Sequence, residues 1–100
     1  MKWTKADREW AAKVKERDGY RCRRCLRYFP EGNRRGLDAH HIFSKGGHPA
    51  TRFEILNGVS LCTGHHIAWA HRDPLEFHEW AKDQLSVSVY DALRKRSVKV

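Results

Sequence analysis

Cysteine and histidine recur in this chain at spacings that suit metal ions. "CRRC" places Cys22 and Cys25 one tight turn apart, and "CTGH" repeats that spacing with Cys62 and His65. Two such half-sites make a closed, tetrahedral Cys3His set of the kind that holds a structural Zn2+. The set uses all 3 cysteines of the chain. An odd number cannot pair completely in disulfides, and the N-terminal "MKWTKADREW" lacks a signal-peptide apolar core, so the cysteines read as metal ligands or free thiols. A redox CxxC would open a helix inside a βαβ unit, and no such pattern surrounds Cys22. The fourth ligand is open between His65 and its neighbour His66.

Histidine is doubled twice, in "DAHHI" at His40 and His41 and in "CTGHH" at His65 and His66. Successive side chains on a strand point to opposite faces. At a strand's end, one histidine of the first pair can bind a metal while the other faces a substrate. Adjacent residues on a helix lie about 100° apart. One histidine of the second pair can therefore close the zinc site while the other reaches a neighbouring pocket. The doubling reads as two sites on one scaffold, a structural zinc and a catalytic metal.

These residues need elements to position them. Thr4 with Asp7 caps a helix over about 4–17, with Trp3, Ala6, Trp10 and Val14 as its apolar stripe. Gly19 ends it, and "YRCRRCLRYF" forms a knuckle. Pro30, Gly32, Asn33 and Gly36 carry turn chemistry. "LDAHHIF" and "GVSLC" read as strands, "RFEILNG" as a helical turn or a loop, and "TGHHIAWAH" as a helix from Thr63. Asp73, Pro74 and Glu76 start another helix with a capping box, and Phe77, Trp80, Ala81 and Leu85 share one face of it. Ser88 caps a short last helix, so that C-terminal helices cover about 74–96. The whole of 1–100 is expected to be a single α+β domain.

The order CxxC, "DAHHI", "ILNGVSLC", "CTGHH" resembles the HNH endonucleases, with their ββα-metal core and zinc knuckle, over about 20–71. The tail "HRDPLEFHEWAKDQL" resembles short phage and prophage members. The resemblance implies a metal-dependent nuclease that hydrolyses DNA phosphodiesters with one divalent ion and a histidine general base. His41 is then the base, His40 and His66 hold a catalytic ion such as Mg2+, Mn2+, Ni2+ or Zn2+, and Asn57 orients the loop that carries His41. The ends left would be 5′-phosphate and 3′-hydroxyl. His40 stands where relatives often have Asp. His71 lies five residues beyond His66, about 140° round an ideal helix, and joins the metal only if the helix distorts. Asp38 reads as an ordinary strand-end residue, with support of His40 or His41 as the alternative. His48 and His78 read as surface or packing histidines.

Lys and Arg number 20 against 12 Asp and Glu, for a net charge of +8. A basic surface on a small domain suits nucleic acid, through salt-sensitive phosphate contacts. Arg21, Arg23, Arg24 and Arg27 surround the knuckle, while Arg34, Arg35, Lys45 and Arg52 flank the histidines. Arg23, Arg24, Arg35 and Lys45 are the candidate DNA contacts. No apolar run is long enough for a bilayer, so a soluble, cytoplasmic protein without membrane contact is expected, monomeric or weakly dimeric. The alternatives are a non-catalytic, zinc-stabilised nucleic-acid-binding module and an accessory subunit of a phage terminase. A binding module would need the cysteines and arginines, but neither His41 nor Asn57.

Overall fold

The computed structural model describes residues 3–31 and 34–98. The turn expected at Gly32 and Asn33 lies outside these residues. Helix α1 spans Lys5–Arg17, strands β1 and β2 span Leu37–His41 and Gly58–Cys62, and the single helical turn α2 spans Thr63–His65. A π-helical segment, His66–His71, continues directly from α2. Helices α3, Pro74–Leu85, and α4, Val87–Ser97, complete the fold. The ambiguous "RFEILNG" stretch contains one 3-10 turn, Ile55–Asn57. None of the helices is long and apolar enough to cross a membrane among the described residues.

The capping box of α1 is complete: the Thr4 side chain accepts from the Asp7 N–H, and the Asp7 carboxylate accepts from the Thr4 N–H at 2.7 Å. The expected apolar stripe is only half present. Trp10 and Val14 are buried, together with Ala11 and Asp7, while Trp3 precedes the helix and is 42% exposed, and Ala6 is exposed. Asp7 is buried because Arg52 grips it with two hydrogen bonds, at 2.9 and 2.6 Å. That guanidinium holds the Asp7 carboxyl well below the usual carboxylate range, against the opposing effect of burial.

β1 and β2 pair antiparallel, with Ala39 opposite Ser60 and His41 opposite Gly58. Side-chain alternation gives this two-strand sheet two different faces. Ala39 packs with Trp10, Ala11 and Val14 of α1. Val59 and Leu61 pack on the other side with Phe77 and Ala81 of α3 and Tyr90 and Leu93 of α4.

Gly58 lets α1 approach β2 closely, since a Cβ there would lie 2.5 Å from a Val14 methyl and 2.6 Å from the Trp10 ring. Both neighbours are buried, so neither can move freely aside. Gly58→Ala is therefore expected to destabilise the domain by about 1–3 kcal/mol, the usual range for overpacking. Thermal unfolding followed by circular dichroism checks this, and an unchanged melting temperature would show that α1 can lift without cost.

The helix caps depart from expectation at two places. Asp73 accepts from the Glu76 N–H at 3.2 Å, but the Glu76 carboxylate turns to the Trp69 indole N–H at 3.1 Å instead of closing a box. α4 is capped by Ser86, not Ser88: the Ser86 hydroxyl accepts from the Val89 N–H, and its left-handed backbone (φ 80°) reverses the chain between α3 and α4.

Candidate metal and catalytic site

The cysteine cluster assembles as its spacing implies. Leu26 adopts a left-handed conformation (φ 67°) and its N–H bonds back to the Cys22 carbonyl at 2.7 Å, which folds the CxxC onto itself. Cys62 ends β2 and His65 lies one turn further on, in α2. His65 Nδ1 lies 3.5 Å from Cys22 Sγ and 3.3 Å from Cys62 Sγ, while Cys25 Sγ lies 4.0 Å from Cys62 Sγ. Metal–sulfur and metal–nitrogen bonds of about 2.3 and 2.0 Å at tetrahedral angles require ligand separations of about 3.5–3.8 Å. The donor set thus fits a tetrahedral ion such as zinc, and 4.0 Å between sulfurs is far too long for a disulfide. Burial pushes the Cys22 thiol up, but the N–H groups of Cys25 and Cys62 and the His65 ring outweigh it and bring it down to about 7. A thiol poised in this way is readily deprotonated to the thiolate that binds metal. Of the two adjacent histidines, His65 is the one in this cluster.

His66 faces a second cluster. Ligand-capable nitrogens of His40, His66 and His71 all lie within 4.8 Å of one another. His71 joins because the segment carrying it is π-helical. Its backbone ladder runs from i to i+5, which brings residues five apart nearly onto one face. His66 Nε2 and His71 Nε2 are 3.1 Å apart, where an ideal α-helix would have splayed them. Asp38 is more than a strand-end residue: its carboxylate lies 3.0 Å from His66 Nδ1. It supports His66 and neither His40 nor His41. A carboxylate only accepts, so Nδ1 carries the hydrogen and Nε2 of the neutral ring is left free as a ligand, the usual arrangement around metal-bound histidine. Burial, with the neighbouring rings of His66 and His71, pushes His40 down to about 3, so its ring is neutral and its lone pair available at ordinary pH.

His41, next along β1, turns to the α1 side of the sheet. Its ring stacks on Trp10 at 3.8 Å between centroids and 10° between planes. Its Nε2 lies 2.9 Å from the Arg52 carbonyl oxygen, which can only accept. The hydrogen therefore sits on Nε2, and Nδ1 is the free base of the neutral ring. Burial holds His41 below its ordinary range, against the pull of the Arg52 carbonyl, and the Lys45 ammonium adds to the depression. Asn57 is fully buried and its amide spans the chain on both sides of the loop after His41: Oδ1 accepts from the Phe43 N–H at 2.8 Å, and Nδ2 donates to the Phe43 and Thr51 carbonyls at 2.9 and 3.1 Å.

His40, His41, His66 and His71 meet in one cleft of about 280 Å3, walled also by Trp3, Ser44 and Lys45. The Lys45 ammonium is shielded from solvent and has no hydrogen-bond partner among the described residues; it sits 4.6 Å from the centre of the Trp3 ring. A shielded cation facing an aromatic ring with no carboxylate beside it is poorly compensated, which an anionic ligand in the cleft would correct.

The arginines divide. Arg23 donates to Asp18 at 2.9 Å and to Gln84 at 3.1 Å, so it serves the fold instead of standing free for DNA. Arg24 lies over the Trp69 ring at 4.7 Å, and Arg35 is exposed. Asp18 is the unforeseen centre of this region. Its buried carboxylate also binds Arg17 and the Ser60 N–H, which together outweigh burial and keep it ionised. His48 packs against Phe43, and His78 Nδ1 lies 2.8 Å from the Tyr90 hydroxyl, both packing roles as expected. Compared with protein-family models, with curated proteins and with solved structures, the chain matches none.

Proposed function

We propose that this protein is a metal-dependent DNA endonuclease of the HNH type, with Cys22, Cys25, Cys62 and His65 holding a structural zinc. The observation that carries the reading is the convergence, in one cleft, of a histidine with a free Nδ1, a three-histidine donor set and an unpaired ammonium. A divalent ion held by His40, His66 and His71 would supply Lewis-acid stabilisation of charge on the phosphoryl group and the departing 3′ oxygen.

The chain's own residues do the rest. His41 accepts the proton of the attacking water at Nδ1, and its depressed proton affinity keeps the ring neutral for that task. The Arg52 carbonyl fixes the tautomer and Trp10 fixes the ring plane. Lys45 sets its charge against the phosphate. Asn57 ties down the loop that carries Ser44 and Lys45 past the cleft. Asp38 keeps His66 Nε2 directed to the ion's position.

The experiment is cleavage of supercoiled plasmid at low salt by the purified protein, with EDTA or with added Mg2+, Mn2+, Ni2+ or Zn2+. Nicked or linear product is expected with at least one ion and none with EDTA. Retarded plasmid that stays intact with every ion would overturn the enzyme reading in favour of a binding module. Cutting that appears only with an added terminase would instead make the chain an accessory subunit.

A further inference from the structure

We infer that a second groove, on α1, takes the backbone of the DNA strand that continues from the histidine cleft. It is a cleft of about 470 Å3 walled by Trp3, Arg8, Lys15, Tyr20 and Arg34. Trp3 is the shared wall: it lines both this groove and the cleft of His41 and Lys45. Its ring centre is 6.3 Å from that of His41. The inference rests on the nucleic-acid reading of that cleft, and adds a substrate-binding site remote from the reacting bond.

What marks the groove is unpaired cations gathered around aromatic rings beside the histidine cleft. Part of the basic surface is matched: Arg52 with Asp7, Arg17 and Arg23 with Asp18, Arg24 with Glu76, Lys82 with Glu79, and Arg96 with Glu54. In the groove, none of Arg8, Lys15 and Arg34 has a carboxylate within ion-pair distance among the described residues. Among the described residues, the Arg8 side chain donates only to the Trp3 carbonyl, at 3.4 Å. Arg34 is spread flat on the Tyr20 ring, 3.3 Å from its centre, which holds the guanidinium in place while leaving donors free at its edge. Unmatched cations held among exposed aromatic faces form the surface that tracks a nucleic-acid backbone and accepts a base by stacking. An acidic peptide would satisfy the cations, but continuity with the histidine cleft through Trp3 favours the strand being cut.

The test uses the full chain and a fluorescein-labelled duplex of about two helical turns, long enough to reach both clefts. Binding is read by anisotropy across a range of NaCl without added divalent ion. Lys15→Gln/Arg34→Gln is compared with Lys13→Gln/Lys95→Gln, which removes the same charge at exposed positions outside the groove. Loss of two phosphate contacts should lower the slope of log K against log salt by about 2, and weaken binding about tenfold or more at low salt. The control pair should shift the slope by much less. In single-turnover cleavage, the groove variant should raise the half-saturating DNA concentration and leave the rate at saturation unchanged. Equal losses in both pairs, or wild-type binding by the groove variant, overturn the groove. If the wild type never cuts DNA but the groove variant alone loses affinity, the groove stands and the nuclease reading falls. If the wild type binds no DNA, both fall. Arg8→Gln, at an exposed position, gives the same readout should the paired variant fail to fold.

Discussion

Cys62→Ser should leave the protein largely unfolded at 25 °C, and a strong chelator should do the same to the wild type. The four ligands come from three places in the chain: the knuckle, the end of β2 and the α2 turn. An ion among them closes a loop between Cys22 and Cys62 and pins the knuckle, whose other ties to the body run through the side chains of Arg23 and Arg24, the Arg23 N–H to the Ser60 carbonyl and the buried Cys22. Structural zinc sites bind with about 10–16 kcal/mol at neutral pH, and small domains are stable by about 5–15 kcal/mol. The metal term is thus as large as the whole stability. Far-UV circular dichroism should collapse in the variant, and acid release should give at least one zinc per wild-type chain. His65→Cys should retain zinc, because four thiolates also make a closed site. His66→Ala should retain it as well, since His66 faces His40 and His71. A Cys62→Ser protein that melts as the wild type does, or a native protein without bound metal, would refute a structural metal at this site.

The Cys3His cluster was legible because both half-sites are local: a spacing of three residues on a turn sets ligand geometry before any tertiary contact forms. The parting of the first histidine pair was legible for a similar reason, since strand alternation alone sends His40 and His41 to opposite faces. What was not legible depends on contacts far apart in sequence or on a local distortion. His71 joins His66 through a π-helical segment, and an ideal helical wheel places them on different faces. Asp38 and His66 are 28 residues apart. The buried carboxylates Asp7 and Asp18 could not be told from surface acids, because Arg52 reaches Asp7 from a distant loop and the Ser60 N–H reaches Asp18 from β2. Trp3 reads as core on an extended helical wheel but sits outside the capping box, where it becomes a wall between two clefts. Of the candidate DNA contacts, Lys45 lines the histidine cleft, while Arg23 is held by Asp18.

His41→Ala should cut DNA about 10²–10⁴-fold more slowly than the wild type while binding it equally well. The imidazole is fixed on three sides: Trp10 beneath the ring, the Arg52 carbonyl on Nε2, and the strand backbone opposite Gly58. Arg52 itself is held by the buried Asp7, so the tautomer of His41 depends on an ion pair anchored in α1. Removing the imidazole leaves that frame standing. The fold should lose little, because His41 packs on the edge of the smaller apolar cluster and Trp10 keeps its own hydrogen bond to the Glu54 carbonyl at 2.7 Å. The donor set of His40, His66 and His71 lies on the other face of the sheet and should be unaltered. Binding, metal content and melting temperature therefore act as internal controls, and only the single-turnover rate should fall. A variant that cuts within about threefold of the wild type would remove His41 from the chemistry, since general-base catalysis contributes far more than that. The proton acceptor would then have to be sought among groups that reach the same cleft.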